Sequence, residues 1–176
     1  MINYTVDRLF TFEELRNLKK LYLQCEKRLA HQDYNLFDVE KRMIHPDSFT
    51  DEIRKVDKYA EMTPMSHYFV KYSEGSFTRL HTDDNRSVGK TIVTLVETNG
   101  LDGGETLMYE VYPQKPRPKD RYAKRSNNEV SYGKSIIPVV VPMEDGQSVV
   151  YGHDVSHGVC QVRSGDRLVL VSWYKK

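Results

Sequence analysis

The chain is short of cysteine, of uncompensated charge and of long apolar runs, and each shortage removes a class of protein. Cys25 and Cys160 are its two cysteines. They are too few for a disulfide framework and lack the paired spacing of a zinc site. Two reduced core thiols fit a reducing, cytoplasmic setting. Basic and acidic residues nearly cancel, 26 against 25, for a formal net charge of +1. A dedicated nucleic-acid binder carries a basic excess or stripe, and the local basic cluster here is confined to Lys115–Arg125, KPRPKDRYAKR. No apolar run approaches the ~20 residues of a membrane span. The opening MINYTVDRLF has no apolar h-region of a secretory signal, so no membrane partner is expected. Repeats and low-complexity tracts are absent, and tryptophan occurs once, at Trp173.

What is present suffices for an ordered, soluble protein. The 176 residues are 39% hydrophobic, with a mean hydropathy of −0.63, and this length supports a real core. One domain over 1–176 is expected, with flanking helices over 1–62 and a β core over 66–174. Thr11-Phe12-Glu13-Glu14 fits a capping box, and Phe10 and Leu15 are placed for its hydrophobic staple. Leu15, Leu18, Tyr22, Cys25 and Leu29 then recur at helical spacing. A second amphipathic stretch runs from Ser48 to Met62, with Phe49, Ile53, Val56 and Tyr59 on one side. Both apolar faces need a sheet to pack on.

After Pro64 the texture changes. Short runs rich in Val, Ile, Thr and Tyr are broken by Gly, Asn, Asp and Pro. The predicted strands are His67–Tyr72, Phe77–His81, Thr91–Glu97, Glu105–Tyr112, Ser135–Val141, Ser148–Tyr151, Gly158–Val162 and Leu168–Tyr174. Short strands in this number suggest a sandwich or jelly roll. The charged, proline-containing segment 113–134 reads as a loop, with a substrate lid as its sharper interpretation.

The chemistry gathers around TRLHTDD, residues 78–84. Residues i and i+2 of a strand share a face, so His81 and Asp83 project together if the strand continues through them. An imidazole and a short carboxylate offer two ligands to one divalent ion. The third must come from His31, His45, His67, His153 or His157. A turn at Ser164-Gly165-Asp166, read as a hairpin, would bring Arg167 into a pocket bordered by His157. His153 stays open as an alternative third ligand, and Asp84 reads as a loop residue. A guanidinium among apolar strands needs an anionic partner, and its planar fork suits a carboxylate. Two histidines and a carboxylate with open positions are the donor set of non-haem Fe(II) oxygenases.

In order along the chain stand Tyr72-Ser-Glu-Gly75, His81-Thr-Asp83, TIVTLVE, Gly103-Gly104-Glu105-Thr106, His157, Arg167 and Trp173. This set resembles the Fe(II)/2-oxoglutarate-dependent dioxygenases, most closely the prolyl 4-hydroxylase-like group, over about residues 66–174. The resemblance implies a mainly β fold with N-terminal helices, a double-stranded β-helix of the jelly-roll, cupin-like kind. It implies Fe(II) on His81, Asp83 and His157, and 2-oxoglutarate with its far carboxylate on Arg167. It further implies O2 as co-substrate, ascorbate as a possible support, and hydroxylation of a C–H bond, foremost in a peptidyl residue such as proline. Thr78 departs from the pattern, standing where many relatives have tyrosine. Tyr72 and Thr91 or Thr94 are the candidate hydroxyls for completing the cofactor pocket, while Trp173 and Arg79 are assigned to the substrate pocket.

Other readings share parts of this pattern. A nucleobase, free amino acid or other small molecule is an alternative substrate within the same superfamily. A base enzyme wants aromatic stacking and a basic track, to which the 113–125 loop region adds charge and only Tyr112 and Tyr122 nearby. A non-catalytic jelly-roll module and a zinc metalloenzyme are the alternatives from other classes. Arg167 discriminates against zinc hydrolysis, which has no need of a fixed oxoacid partner.

Overall fold

The computed structural model describes residues 4–29, 36–83, 87–113 and 134–176. In chain order these form β1 (Tyr4–Arg8), α1 (Phe12–Gln24), β2 (Lys27–Leu29), β3 (Leu36–Phe37) and β4 (Glu40–Met43). A 3-10 turn at Pro46–Ser48 leads into α2 (Asp51–Ala60). Then follow β5 (Pro64–Tyr72), β6 (Phe77–His81), β7 (Val88–Gly103), β8 (Thr106–Pro113), β9 (Lys134–Val141), β10 (Gln147–Gly152), β11 (His157–Val159) and β12 (Val162–Lys175). The predicted loop lies almost wholly outside the described residues, as do Asp84, His31 and the Lys115–Arg125 cluster.

The N-terminal third is less helical than its sequence suggests. α1 begins as expected: the Thr11 hydroxyl accepts from the Glu14 amide, and the Glu14 carboxylate accepts from the Thr11 amide at 2.8 Å. Phe10 and Leu15 are both buried in the core beside it. The helix then stops at Cys25, whose backbone is extended, so Leu29 belongs to β2. Flanking helices over 1–62 are therefore corrected: among the described residues this stretch holds two α-helices and four short strands. Tertiary pairing decides this. β1 docks on β10, and β2 and β4 form an antiparallel pair that continues onto β5. Glu40–Met43 reads EKRM and carries no apolar alternation, so local sequence gives no strand signal.

Polar contacts explain why β4 lies where it does. The Tyr22 hydroxyl donates to Glu40 at 2.6 Å, Arg42 Nε donates to the same oxygen at 2.6 Å, and Lys27 lies 3.1 Å from the other. Arg42 also donates to the Tyr22 and Cys25 carbonyls, satisfying acceptors that the end of α1 leaves open. Burial alone would raise the Glu40 carboxyl; the hydrogen bonds from Tyr22, Arg42 and Lys27 outweigh it and bring the pKa down to about 2.

The strands make two antiparallel sheets. The larger runs β1-β10-β7-β12-β5-β4-β2, and the smaller β3-β6-β11-β8-β9. Side chains on the central strands of the larger sheet alternate between two destinations. On β12, Leu168, Leu170 and Tyr174 join Leu18, Leu21, Ile53 and Val56 of the helices in one apolar core. Arg167, Val169, Val171 and Trp173 point the other way, into the space between the sheets. On β5, Phe69 faces the helices while Tyr68, Val70 and Tyr72 face the interior. The helices thus cover one face of the large sheet, as their amphipathic patterns require. Among the described residues no helix is long and apolar enough to cross a membrane.

Two further expectations change. Ser164-Gly165-Asp166 makes no hairpin: β12 runs through it, with register shifts against β7 on either side of Ser164. Gly165 takes φ +77° there, so the extra residues are absorbed as bulges. The strand expected over Gly158–Val162 divides between β11 and the start of β12.

Candidate functional site

The site is assembled where the small sheet meets the large one. β6 ends on His81, and β11 begins on His157 directly opposite it in the antiparallel register. Gly158 permits this approach, since a Cβ there would lie 3.0 Å from the Thr78 carbonyl oxygen of β6. The two imidazoles stand 4.3 Å apart between centroids. Each spends one nitrogen on the backbone: His81 Nδ1 donates to the Arg79 carbonyl at 2.8 Å, and His157 Nδ1 to the Val155 carbonyl at 3.0 Å. In a neutral ring with Nδ1–H so committed, Nε2 carries the lone pair.

Both lone pairs face one carboxylate oxygen. Asp83 Oδ1 is 3.6 Å from His81 Nε2 and 3.7 Å from His157 Nε2. The three donor atoms lie within 4.8 Å of one another. Two ligands ~2.1 Å from one ion are ~3.0–3.4 Å apart, so a small closing movement completes the geometry. Burial lowers the pKa of His157, with Asp83 opposing and His81 adding to the shift; a neutral imidazole is the ligating form. The donor set of two nitrogens and one oxygen fits a divalent first-row metal. Among the described residues His153 is not in this cluster.

Asp83 does not sit on the strand, as the i, i+2 argument supposed. β6 stops at His81, and Asp83 is held from across the fold by Thr91 of β7, whose hydroxyl donates to Asp83 Oδ2 at 2.5 Å. Thr91 was expected at the cofactor; its hydroxyl is instead committed to this carboxylate, and it does not line the cavity. Thr94 likewise does not line the cavity; it shares a 2.6 Å hydrogen bond with Ser148 within the buried contact between β7 and β10.

A cavity of about 670 Å³ opens between the sheets beside the three donors. Its far wall holds Arg167, only 3% exposed. Arg167 Nη1 donates to the Gly104 carbonyl at 2.9 Å and Nη2 to the Thr106 hydroxyl at 2.6 Å. Gly103 and Gly104 turn the chain there at φ +80° and +69°, a conformation glycine adopts without a Cβ clash. No described carboxylate forms an ion pair with Arg167, and burial lowers its pKa, with Tyr72, Tyr151 and Glu105 opposing. Tyr72 lies beneath the guanidinium, 5.6 Å from its centre, and its hydroxyl shares a 2.8 Å hydrogen bond with Thr78. Trp173 also lines the cavity, edge-on to Tyr68 at 5.6 Å. Arg79 does not: its guanidinium lies over the Phe37 ring at 4.2 Å, and the register shift between the Thr78 and His81 pairings with β11 lets His81 face the cavity although Arg79, two residues before it, does not. Its carbonyl, rather than its charge, serves the site.

Several cavity residues escaped the sequence reading. Tyr151 of β10 packs 4.6 Å from the His157 ring, and burial pushes its phenol well above the ordinary value. Thr106 anchors Arg167, and Val169 and Val171 complete its wall. The last two were available from the two-residue period of β12; Thr106 stood in the Gly103–Thr106 stretch without a role, and its bond to Arg167, like the place of Tyr151, needed the register between distant strands.

No protein-family model matches the sequence, and no curated protein matches it. Solved structures do. A Burkholderia pseudomallei oxidoreductase of the 2OG-Fe(II) oxygenase family superposes with a TM-score of 0.66 at 18% identity, over 98% of this chain and 85% of its own. A Pseudomonas putida prolyl-4-hydroxylase gives 0.63 at 16% identity, over 100% and 94%. HygX of Streptomyces hygroscopicus, whose structure contains nickel, 2-oxoglutarate and hygromycin B, gives 0.65 at 10% identity, over 99% and 83%. The chain shares the double-stranded β-helix fold of these proteins.

Proposed function

We propose that the chain is one catalytic domain, an Fe(II)- and 2-oxoglutarate-dependent dioxygenase that hydroxylates a C–H bond. The observation that carries this reading is the pairing of two features in one cavity. One is a cluster of two imidazoles and a carboxylate with convergent acceptor atoms. The other is a buried arginine that donates to two neutral groups, the Gly104 carbonyl and the Thr106 hydroxyl. A cation and an organic dianion satisfy both at once, and a buried charge left unpaired is costly.

The residues take separate parts. His81, Asp83 and His157 are the proposed iron ligands; bound there, Fe(II) with 2-oxoglutarate would supply the oxidising chemistry, one oxygen atom of O2 ending in succinate, with loss of CO2, and the other in the new hydroxyl. Arg167 holds the far carboxylate of the 2-oxoacid, with Gly104 and Thr106 fixing the plane of its fork. Tyr72 and Thr78 border that end of the cavity. Val93, Val169 and Val171 keep its walls apolar, which strengthens the charge pairing by excluding water. Trp173 and Tyr68 offer an aromatic corner for substrate. A peptidyl residue such as proline is the proposed target, consistent with the prolyl-4-hydroxylase among the similar structures; the hygromycin B bound to HygX keeps a small molecule as the alternative. Ascorbate is a proposed accessory reductant.

The test is succinate release from 2-oxoglutarate by Fe(II)-loaded protein, without and with proline-rich peptides. Wild type is expected to show a metal-dependent signal that His157→Ala abolishes. A signal that survives His157→Ala, or failure to bind 2-oxoglutarate at all, sinks the proposal.

A further inference from the structure

We infer that Thr91 is a positioning residue for the metal centre: its hydroxyl takes Asp83 Oδ2 out of play and leaves Oδ1 alone to serve as the ligand. This rests on the metal-centre reading given above and concerns a residue outside the ligand set. Three observations converge on it. Asp83 lies beyond the last residue of β6, so no strand ladder fixes its side chain. Its two oxygens have different surroundings, Oδ1 facing both histidine Nε2 atoms and Oδ2 accepting from Thr91 at 2.5 Å. Thr91 itself is fully buried and rigidly placed, paired with Tyr151 of β10 on one side and Trp173 of β12 on the other.

The physical consequence is directional. A hydroxyl donor on a carboxylate makes a strong, short hydrogen bond. It fixes the rotation of the carboxylate about its terminal bond, which is otherwise broad. A β-branched residue suits the position because its χ1 is restricted, so the donor is aimed before any ion arrives. Asp83 then presents one oxygen instead of chelating through two, and an additional coordination position stays open. Thr91 belongs to the large sheet and the two histidines to the small one, so this hydrogen bond also sets the carboxylate across the gap between sheets. Outer-sphere partners of this sort commonly change metal affinity by about 10–100-fold when removed.

The experiment measures Co(II) binding to the full-length protein without 2-oxoglutarate, by calorimetry and by the visible absorption of the bound ion. Thr91→Val keeps the shape and removes the donor; Thr91→Ser keeps the donor. The expected result is at least about 10-fold weaker Co(II) binding by Thr91→Val, with an altered absorption band. Thr91→Ser is expected to bind and absorb as wild type does. The melting temperatures of the metal-free proteins show whether each variant folds, and Thr91→Ala replaces the valine variant if that one does not. Wild-type affinity and spectrum in the variant without a hydroxyl overturn the inference alone. A wild-type protein that takes up no Co(II) overturns the metal centre and this inference with it.

Discussion

Arg167 keeps a formal charge where water scarcely reaches, and its surroundings say what kind of partner it suits. Gly104 and Thr106 take two of its donors from behind, leaving a fork aimed at the cavity. Lysine would supply the charge without the fork. Arg167→Lys is therefore expected to weaken 2-oxoglutarate binding by about 10-fold or more, the range of a charge-assisted hydrogen bond. Titration calorimetry of the metal-loaded protein reads this directly; affinity within twofold of wild type contradicts the assignment. At this scale the sequence was informative wherever chemistry was carried by rare residue types in order. His81, Asp83, His157 and Arg167 line one cavity, as their order along the chain implied through the resemblance, although neither the i, i+2 strand geometry nor the hairpin expected to bring them there is present. It assigned the Thr91 hydroxyl to the cofactor and not to Asp83, because that contact comes from across the fold, and it placed Arg79 in the substrate pocket, because the register shift that separates its direction from that of His81 leaves no mark in local sequence.

Elements bring these residues together, and two contacts between them can be tested. Gly158 lets β11 lie against β6; Gly158→Ala places a methyl 3.0 Å from the Thr78 oxygen. The expected cost is about 1–3 kcal/mol of unfolding free energy, read by urea denaturation, with weaker metal uptake because His157 and His81 are pushed apart. The second contact joins α2 to the large sheet. His67 of β5 is buried, bonds Ser172 at 2.9 Å and lies 3.2 Å from Asp57, which also accepts from Tyr174. Burial lowers the pKa of His67, with Asp57 opposing. The unfolded chain then binds the proton more readily than the folded one. Stability is full above the ordinary histidine value and declines as pH falls through ~6.5. His67→Gln is expected to flatten this part of the pH dependence of the melting temperature; an unchanged slope removes His67 from its cause. The sequence showed α1 by its capping box and most core strands by their β-branched runs. It hid β1 to β4, since strands this short are stabilised by what they pair with and carry little periodicity of their own.

At the scale of the molecule, the described residues form two sheets with helices on one outer face, and the proposed ligands and their supports come from both sheets. An ion bound there joins parts that unfolding must separate. Binding to the folded state alone stabilises by mass action. Co(II) at about 100 times its dissociation constant is expected to add ~2.7 kcal/mol and to raise the melting temperature by roughly 5–10 °C. A chelator should reverse this, and a melting temperature indifferent to Co(II) would speak against a site formed only on folding. The gross architecture was readable from the change of texture at Pro64. The partition into a large and a small sheet was not, because it depends on which strands pair across long separations in sequence.

β12 has a consequence of a genetic kind. Its odd-numbered positions from Arg167 to Trp173 furnish the cavity, while Leu168, Leu170 and Tyr174 hold the helices. Loss of a single codon within this stretch inverts both sets for every residue beyond the deletion, putting leucines in the cavity and a tryptophan under the helices. An in-frame deletion of two neighbouring codons restores the facing and shifts each side chain by one pleat. In a library of in-frame deletions, β12 should therefore tolerate neither kind well but distinguish them, with single-codon losses drained from the folded pool and two-codon losses retained in part.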